Sequence, residues 1–210
     1  MGTEARGRQF KLLGGSLPLD FVNTVDWRLA DRPVELLESY EDLISWGVQA
    51  GLLAESQALA LREAAARRPR EADAALAKAI QWREILFRLL VGFLRHGAVD
   101  PLDLAAFNAA VQDALSRIRL VPAESGLAWG WPEGEGLDSI VRPVIHAAAQ
   151  LLTSPAELRR VKMCSDALCG WLFLDRSKNE SRLWCSMRDC GNRAKARRFY
   201  RKAKSRRSNP

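Results

Sequence analysis

Four cysteines, all in the last quarter of the chain, constrain this sequence more than any other feature. They form two pairs, Cys164/Cys169 and Cys185/Cys190, with four residues inside each pair and fifteen between the pairs. Four thiolates placed in two short pairs can close a tetrahedron around one zinc ion, with sulfur at about 2.3 Å from the metal. A four-residue gap lets a tight turn, or the first turn of a helix, aim both sulfurs at one point. Cations behind the second pair, Arg193 and Lys195 among them, favour thiolate over thiol. An iron–sulfur cluster uses the same ligand type, and paired disulfides or free core thiols are further alternatives. Between the pairs, Trp171 to Leu174 reads as a short strand, Asp175 to Ser181 as a polar turn and Leu183-Trp184 as a return strand. After Cys190 the chain reads as a helix, which completes the layout of a small treble-clef finger.

The run Trp184-Cys185-Ser186-Met187, followed by Cys190-Gly191-Asn192-Arg193-Ala194-Lys195, resembles the CGNR zinc finger. In that family the finger follows an N-terminal domain called ABATE, and Gly14-Gly15-Ser16-Leu17-Pro18-Leu19-Asp20-Phe21-Val22-Asn23-Thr24 is similar to the opening of that domain. The resemblance spans nearly the whole chain. It implies a stress-induced transcription regulator with one structural zinc held by Cys164, Cys169, Cys185 and Cys190.

At 210 residues the chain can hold one good core and a small appended module, and its apolar content of 48% with seven tryptophans points to a packed protein. It shows no segment of signal-peptide form and no apolar run near eighteen residues, so a cytoplasmic protein without a membrane partner is expected. Met1-Gly2 lacks the Ser or Thr of a myristoylation signal, since the sixth residue is Arg6. Reducing cytosol disfavours structural disulfides, which favours metal at the thiols. The formal charge of +7 hides a division: residues 155–210 carry 16 Lys plus Arg against 5 Asp plus Glu, whereas residues 1–154 are net acidic. The expected organisation is an N-terminal sensor or dimerisation domain over 1–154 and a finger with a basic helix and tail over 155–210.

In the first domain, Phe10 to Leu12 reads as a strand. Asp20 is placed to cap a helix from Phe21 that carries Thr24, Val25 and Arg28 at helical spacing. Asp20, Asn23 and Trp27 are then a cap, a buried hydrogen-bonding residue and a core aromatic, or alternatively a small-molecule site. Ser39 with Asp42 has the form of a capping box. Ala54 to Arg67 and Glu71 to Arg95 read as helices, the second closed by Gly97, and Asp100-Pro101 opens another to about Ile118. Arg119 to Ala123 and Leu127 to Trp131 read as a hairpin, 132–136 as a polar loop, and Leu137 to Thr153 as helical. The fold class is α+β, a predominantly helical domain with a small hairpin followed by the finger.

No enzyme constellation is present: there is no GxGxxG, GxSxG, HExxH or phosphate-loop lysine, and the two histidines, His96 and His146, are isolated. On the terminal helix, Asn192, Ala196, Phe199, Tyr200 and Ala203 fall on one side, expected to pack on the hairpin or the larger domain. Arg193, Lys195, Arg197, Arg198, Arg201 and Lys202, with Arg188 just before, form a cationic stripe suited to DNA phosphates. Asn192 is expected to orient the knuckle or to bond across to the other domain. The primary expectation is a DNA-binding, non-enzymatic regulator with an effector and a homodimer as further partners. The alternatives are an RNA-binding accessory protein, or an enzyme with a pocket in the N-terminal domain.

Overall fold

The computed structural model describes residues 7–131 and 136–207, with side chains through Tyr200. Part of the expected polar loop and the last three residues lie outside those limits, as do the side chains of Arg201 and Lys202.

The spine of the N-terminal domain is α4 (Pro69–His96), which Pro69 starts and Gly97 stops in the left-handed conformation. One face of it buries Ala79, Leu86, Leu89 and Leu90. Against this spine pack α1 (Leu17–Val22), α2 (Tyr40–Gln49), α3 (Glu55–Arg67) and α5 (Pro101–Arg117). A 3₁₀ turn at Ser139–Val141 then leads into α6 (Arg142–Leu152), which lies on α1 and α5. Phe21 and Trp46 meet at the centre with ring centroids 5.0 Å apart. Each fully buried aliphatic or aromatic side chain here contributes about 1.5–3 kcal/mol. The capping box forms as expected: Asp42 N donates to Ser39 Oγ, and Asp42 Oδ2 accepts from Ser39 N.

Among the described residues, three two-stranded antiparallel ribbons accompany the helices. β1 (Val25–Asp26) pairs with β2 (Val34–Glu35), β3 (Arg119–Ala123) with β4 (Gly126–Gly130), and β5 (Val161–Met163) with β6 (Leu172–Leu174). Helix α7 (Pro155–Leu158), capped by Ser154, joins the two parts. A wide turn of π-helix over Met187–Gly191 runs into α8 (Asn192–Arg207).

Four expectations are corrected. Residues Phe10 to Leu12 form no strand; Phe10 N instead donates to the Gln49 side chain. Helix α1 begins at Leu17 after Ser16, because Pro18 supplies the pre-set first turn, so Asp20 lies inside the helix rather than at its cap. The helix ends at Val22, and Val25 becomes a strand residue. In the finger, the strand over 172–174 pairs backwards with Val161–Met163 rather than forwards with Leu183-Trp184, since the first cysteine pair makes the connection between the strands. Finally, the aromatic side of α8 does not pack inward: Phe199 and Tyr200 are 69% and 71% exposed and meet each other as an edge-on pair at 5.9 Å.

A buried charge network stiffens the turn after α1. Arg83, only 2% exposed, grips both carboxylate oxygens of Glu35 at 2.6 Å, and Arg28 grips Glu84 at 2.6 and 3.2 Å. Charges removed from water persist only when paired and hydrogen-bonded, which is satisfied here by two arginines facing two glutamates.

Candidate metal centre and the seam that holds it

The first cysteine pair sits in the connection between β5 and β6. Asp166 shapes that connection: its Oδ1 accepts from Leu168 N at 3.3 Å, and its backbone oxygen accepts from Cys169 N at 3.1 Å. The second pair is carried by the turn into α8, where Ser186 Oγ accepts from Asp189 N and Ser186 O from Gly191 N. The two turns converge, and all four sulfurs are buried and lie within 4.8 Å of one another. Cys169 and Cys185 are separated by 3.7 Å, and Cys185 and Cys190 by 3.5 Å. A tetrahedron with bonds of about 2.3 Å has edges of about 3.8 Å, close to both of these separations, so the donor set suits one zinc ion. Four thiolates fill the coordination sphere, which makes this a structural ion with no position for activated water.

The thiols behave as one titrating cluster. Hydrogen bonds with Cys169 and Cys185 hold the Cys164 thiol down, while those with Cys164 and Cys169 push Cys185 far up. Burial, first of all, raises Cys190.

Arg193 fastens the centre to its surroundings in three directions. Its Nη2 donates to Cys190 Sγ at 2.9 Å, its Nε donates to Asp166 Oδ2 at 3.1 Å, and its guanidinium lies 4.5 Å from the centre of the Trp27 ring. Arg197 Nη1 donates to the other Asp166 oxygen at 3.2 Å. Asp166 is 2% exposed. Burial alone would raise its carboxyl, but the Leu168 N–H and the two arginines hold it below the usual range. This arrangement is the outer support that orients a metal ligand and balances thiolate charge.

The seam between the two parts is built from the N-terminal signature. Along β6, the odd positions bond to the β5 side: Cys164 N donates to Trp171 O, and Asp175 N to Arg160 O. The even positions face the N-terminal segment. Leu174 N donates to Gly14 O at 2.7 Å, Asn23 Nδ2 donates to Leu172 O at 2.8 Å, and Leu172 N donates to Asn23 Oδ1 at 2.9 Å. Asn23 thus does for β6 what a neighbouring strand would do. Further along, Trp171 Nε1 donates to Val25 O, and the successive N–H groups of Arg28 and Leu29 donate to Cys169 O and Leu168 O. The second contact depends on Trp27, whose φ of 52° turns the chain so that both N–H groups face the knuckle. Gly170 completes the fit: its φ is +71°, and a Cβ there would come within 2.9 Å of Leu29.

The predicted small-molecule trio is thereby located. Asn23 is consumed by Leu172, Trp27 stacks on Arg193, and Asp20 accepts from Gly14 N at 2.7 Å. Burial pushes the Asp20 carboxyl up to about 6, against the opposing Gly14 hydrogen bond. None of the three lines a described cavity. Of the basic residues assigned to DNA, Arg193 and Arg197 are tied to Asp166, whereas Arg188, Lys195 and Arg198 are exposed and in no ion pair among the described residues. Asn192 is exposed and donates locally to Arg188 O, so it stays within the turn. Sequence reading missed Asp166, Gly170 and Arg28. An Asp inside a cysteine pair and a Gly directly after one were the available signals for the first two.

The geometry defines a class: a helical domain to which a four-cysteine zinc finger is bonded along one strand. Two family profiles match the chain in that order, one described as "ABATE: putative stress-induced transcription regulator" over residues 15–155 and one as "CGNR zinc finger" over 160–203. The chain belongs to the ABATE family and carries the CGNR zinc finger. No curated protein matches it. The family descriptions point to a regulatory role with a nucleic-acid partner, and no helix among the described residues is long and apolar enough to cross a membrane.

Proposed function

We propose that the protein is a non-catalytic, DNA-binding transcription regulator in which zinc fixes the base of α8 and the outer cations of that helix contact phosphates. The observation that carries this reading is the exposure of α8 over residues 195–200. Asp166 anchors it through Arg193 and Arg197, while Lys195, Arg198, Phe199 and Tyr200 face solvent. A helix that exposes Lys195 and Arg198 is suited to neutralising phosphates and releasing counterions.

The test is fluorescence anisotropy with a labelled duplex between 50 and 300 mM salt. About six phosphate contacts give a slope near −5 for log affinity against log salt. A duplex bound with no salt dependence, or a structured RNA bound more tightly at matched salt, overturns the reading. The RNA alternative draws on one observation, the adjacent exposed rings of Phe199 and Tyr200, which offer stacking surfaces for unpaired bases.

A further inference from the structure

The ribbon of β3 and β4 stands clear of the core. All its residues but Gly130 are exposed, and among the described residues no other element makes more than slight contact with it. A lone two-stranded hairpin is marginal in water, and further strands or a covering helix are what stabilise one. We infer that β4 is a dimerisation edge: β4 of a second copy of this chain pairs with it antiparallel about a two-fold axis at Ala128, giving a four-stranded sheet with the two β4 strands at its centre.

The register shows which backbone groups are available. Ala123 pairs with Gly126 across a two-residue turn, and Pro122 pairs with Leu127. Proline has no N–H to give, so the bonded pairs alternate as Ala123/Gly126, Val121/Ala128 and Arg119/Gly130. The N–H and C=O groups of Leu127 and Trp129 then point away from β3. The outer edge of β3 is blunted by Pro122 and Arg119, whereas Gly126–Gly130 carries neither a charge nor a proline. An open, uncharged edge of this kind is a template for another strand. Leu127 and Trp129 lie symmetrically about Ala128, so an identical strand running the other way satisfies every outward group of both residues.

The side chains fit the same occupant. Leu120, Pro122, Leu127 and Trp129 share one face of the ribbon, and Leu120, Leu127 and Trp129 are 57%, 67% and 59% exposed. In the two-fold register Leu127 of each copy lies beside the partner's Trp129, a cross-strand pair of aliphatic on aromatic. The three large side chains leave about 400 Å² of apolar surface per copy in water, so the two copies cover at most about 800 Å² of it. That is half of the roughly 1,600 Å² of a lasting interface and fits a dimer with a Kd on the order of 100 µM. Such a dimer carries two fingers, a consequence for DNA that rests on the regulator reading; the pairing itself does not.

The test is sedimentation of the zinc-loaded full chain from about 5 to 500 µM, where a concentration-dependent dimer is expected. Leu127→Pro removes one outward N–H and leaves the bonds to β3 in place, so it weakens association by about tenfold or more at unchanged circular dichroism and zinc content. Leu120→Ser, on β3 and outside the paired edge, changes it by less than about threefold. Ala128→Cys brings two thiols to the axis in a non-bonded pair, where Cα atoms lie about 4.5 Å apart, and oxidised glutathione is expected to link the chains there. Ala123→Cys, on the same face of the ribbon but off the axis, stays unlinked under the same treatment. A chain monomeric throughout, a dimer that Leu127→Pro leaves intact or that Leu120→Ser abolishes, or equal linking at positions 123 and 128 overturns the proposal. Because no nucleic acid enters the measurement, failure of DNA binding and failure of this edge are read separately.

Discussion

The side-chain amide of Asn23 and the backbone of Leu172 form a two-bond ring, Nδ2 to O at 2.8 Å and N to Oδ1 at 2.9 Å, across 149 residues of sequence. Both groups are buried, so each bond lost leaves a polar atom with no water to replace its partner. Asn23→Ala is expected to cost about 2–4 kcal/mol in denaturant unfolding, and to raise amide exchange at Leu172 and Leu174 more than in α4. Equal exchange in both regions would show that the amide is not what holds the finger.

Gly170 gives a steric test of the same seam. Gly170→Ala meets a left-handed backbone at φ +71° and contacts of 2.9 and 3.0 Å to Leu29 and Arg28. A loss of about 2 kcal/mol or more is expected, together with a weaker zinc affinity read by competition with a chromogenic chelator. An alanine variant with unchanged stability would mean that the knuckle can shift off the Trp27 turn.

Removal of the metal should separate the two parts energetically. Titrating thiols with a mercurial in the presence of a zinc indicator is expected to release one equivalent per chain. The apo form should retain most far-UV helicity, which comes from α2 to α6, while Trp171 and Trp184 become exposed. The apparent contribution of such an ion is on the order of 10 kcal/mol, and Cys190→Ser should reproduce the effect.

Asp20 predicts a pH dependence of defined sign. In the unfolded chain its carboxyl ionises near 3.8, and in the fold near about 6, because burial penalises the charged form. The folded state therefore holds the proton more tightly, and this residue's contribution is best below the unfolded value and declines as pH rises through about 6. Asp20→Asn keeps an acceptor for Gly14 N and abolishes the titration. It should stabilise the protein at pH 8 by about 1–2 kcal/mol after allowing for partial exposure, and flatten the melting temperature between pH 4 and 7. A less stable variant at pH 8 would show that the carboxylate is needed in its charged form.

The cations of α8 divide into two groups with different expected phenotypes. Arg198→Gln should lower duplex affinity evenly across sequences and reduce the salt slope by about 1, with zinc content unchanged. Arg193→Gln should instead destabilise the finger, since it releases Asp166, Cys190 and Trp27 together. Anisotropy and metal analysis on the same preparations distinguish the two.

Much of this was legible from residue types and spacing. The Ser39 capping box, the Pro starts, the Gly97 stop and the two cysteine pairs each carry local chemistry that reads directly from sequence. What was not legible depended on distant partners. Asn23 has the composition of a ligand-binding residue and of a structural one, and only the position of Leu172 decides between them. The pairing of β6 with β5 rather than with Leu183-Trp184 follows from the first cysteine pair lying in the connection between the two strands, which local alternation does not encode. Phe199 and Tyr200 sit at core-like spacing on α8, yet both rings are exposed and no element among the described residues covers them.

The alternation along β6 also sets an order of events during synthesis. Gly14, Asn23 and the turn at Trp27 leave the ribosome early, but the groups they bond to follow after nearly the whole helical domain has been made. Until then those polar atoms face water, and the nascent chain carries an unfinished edge. Capturing the ion must wait until Cys185 and Cys190 have been made, so a chain cut short before Cys185 would lack half of the metal's ligands.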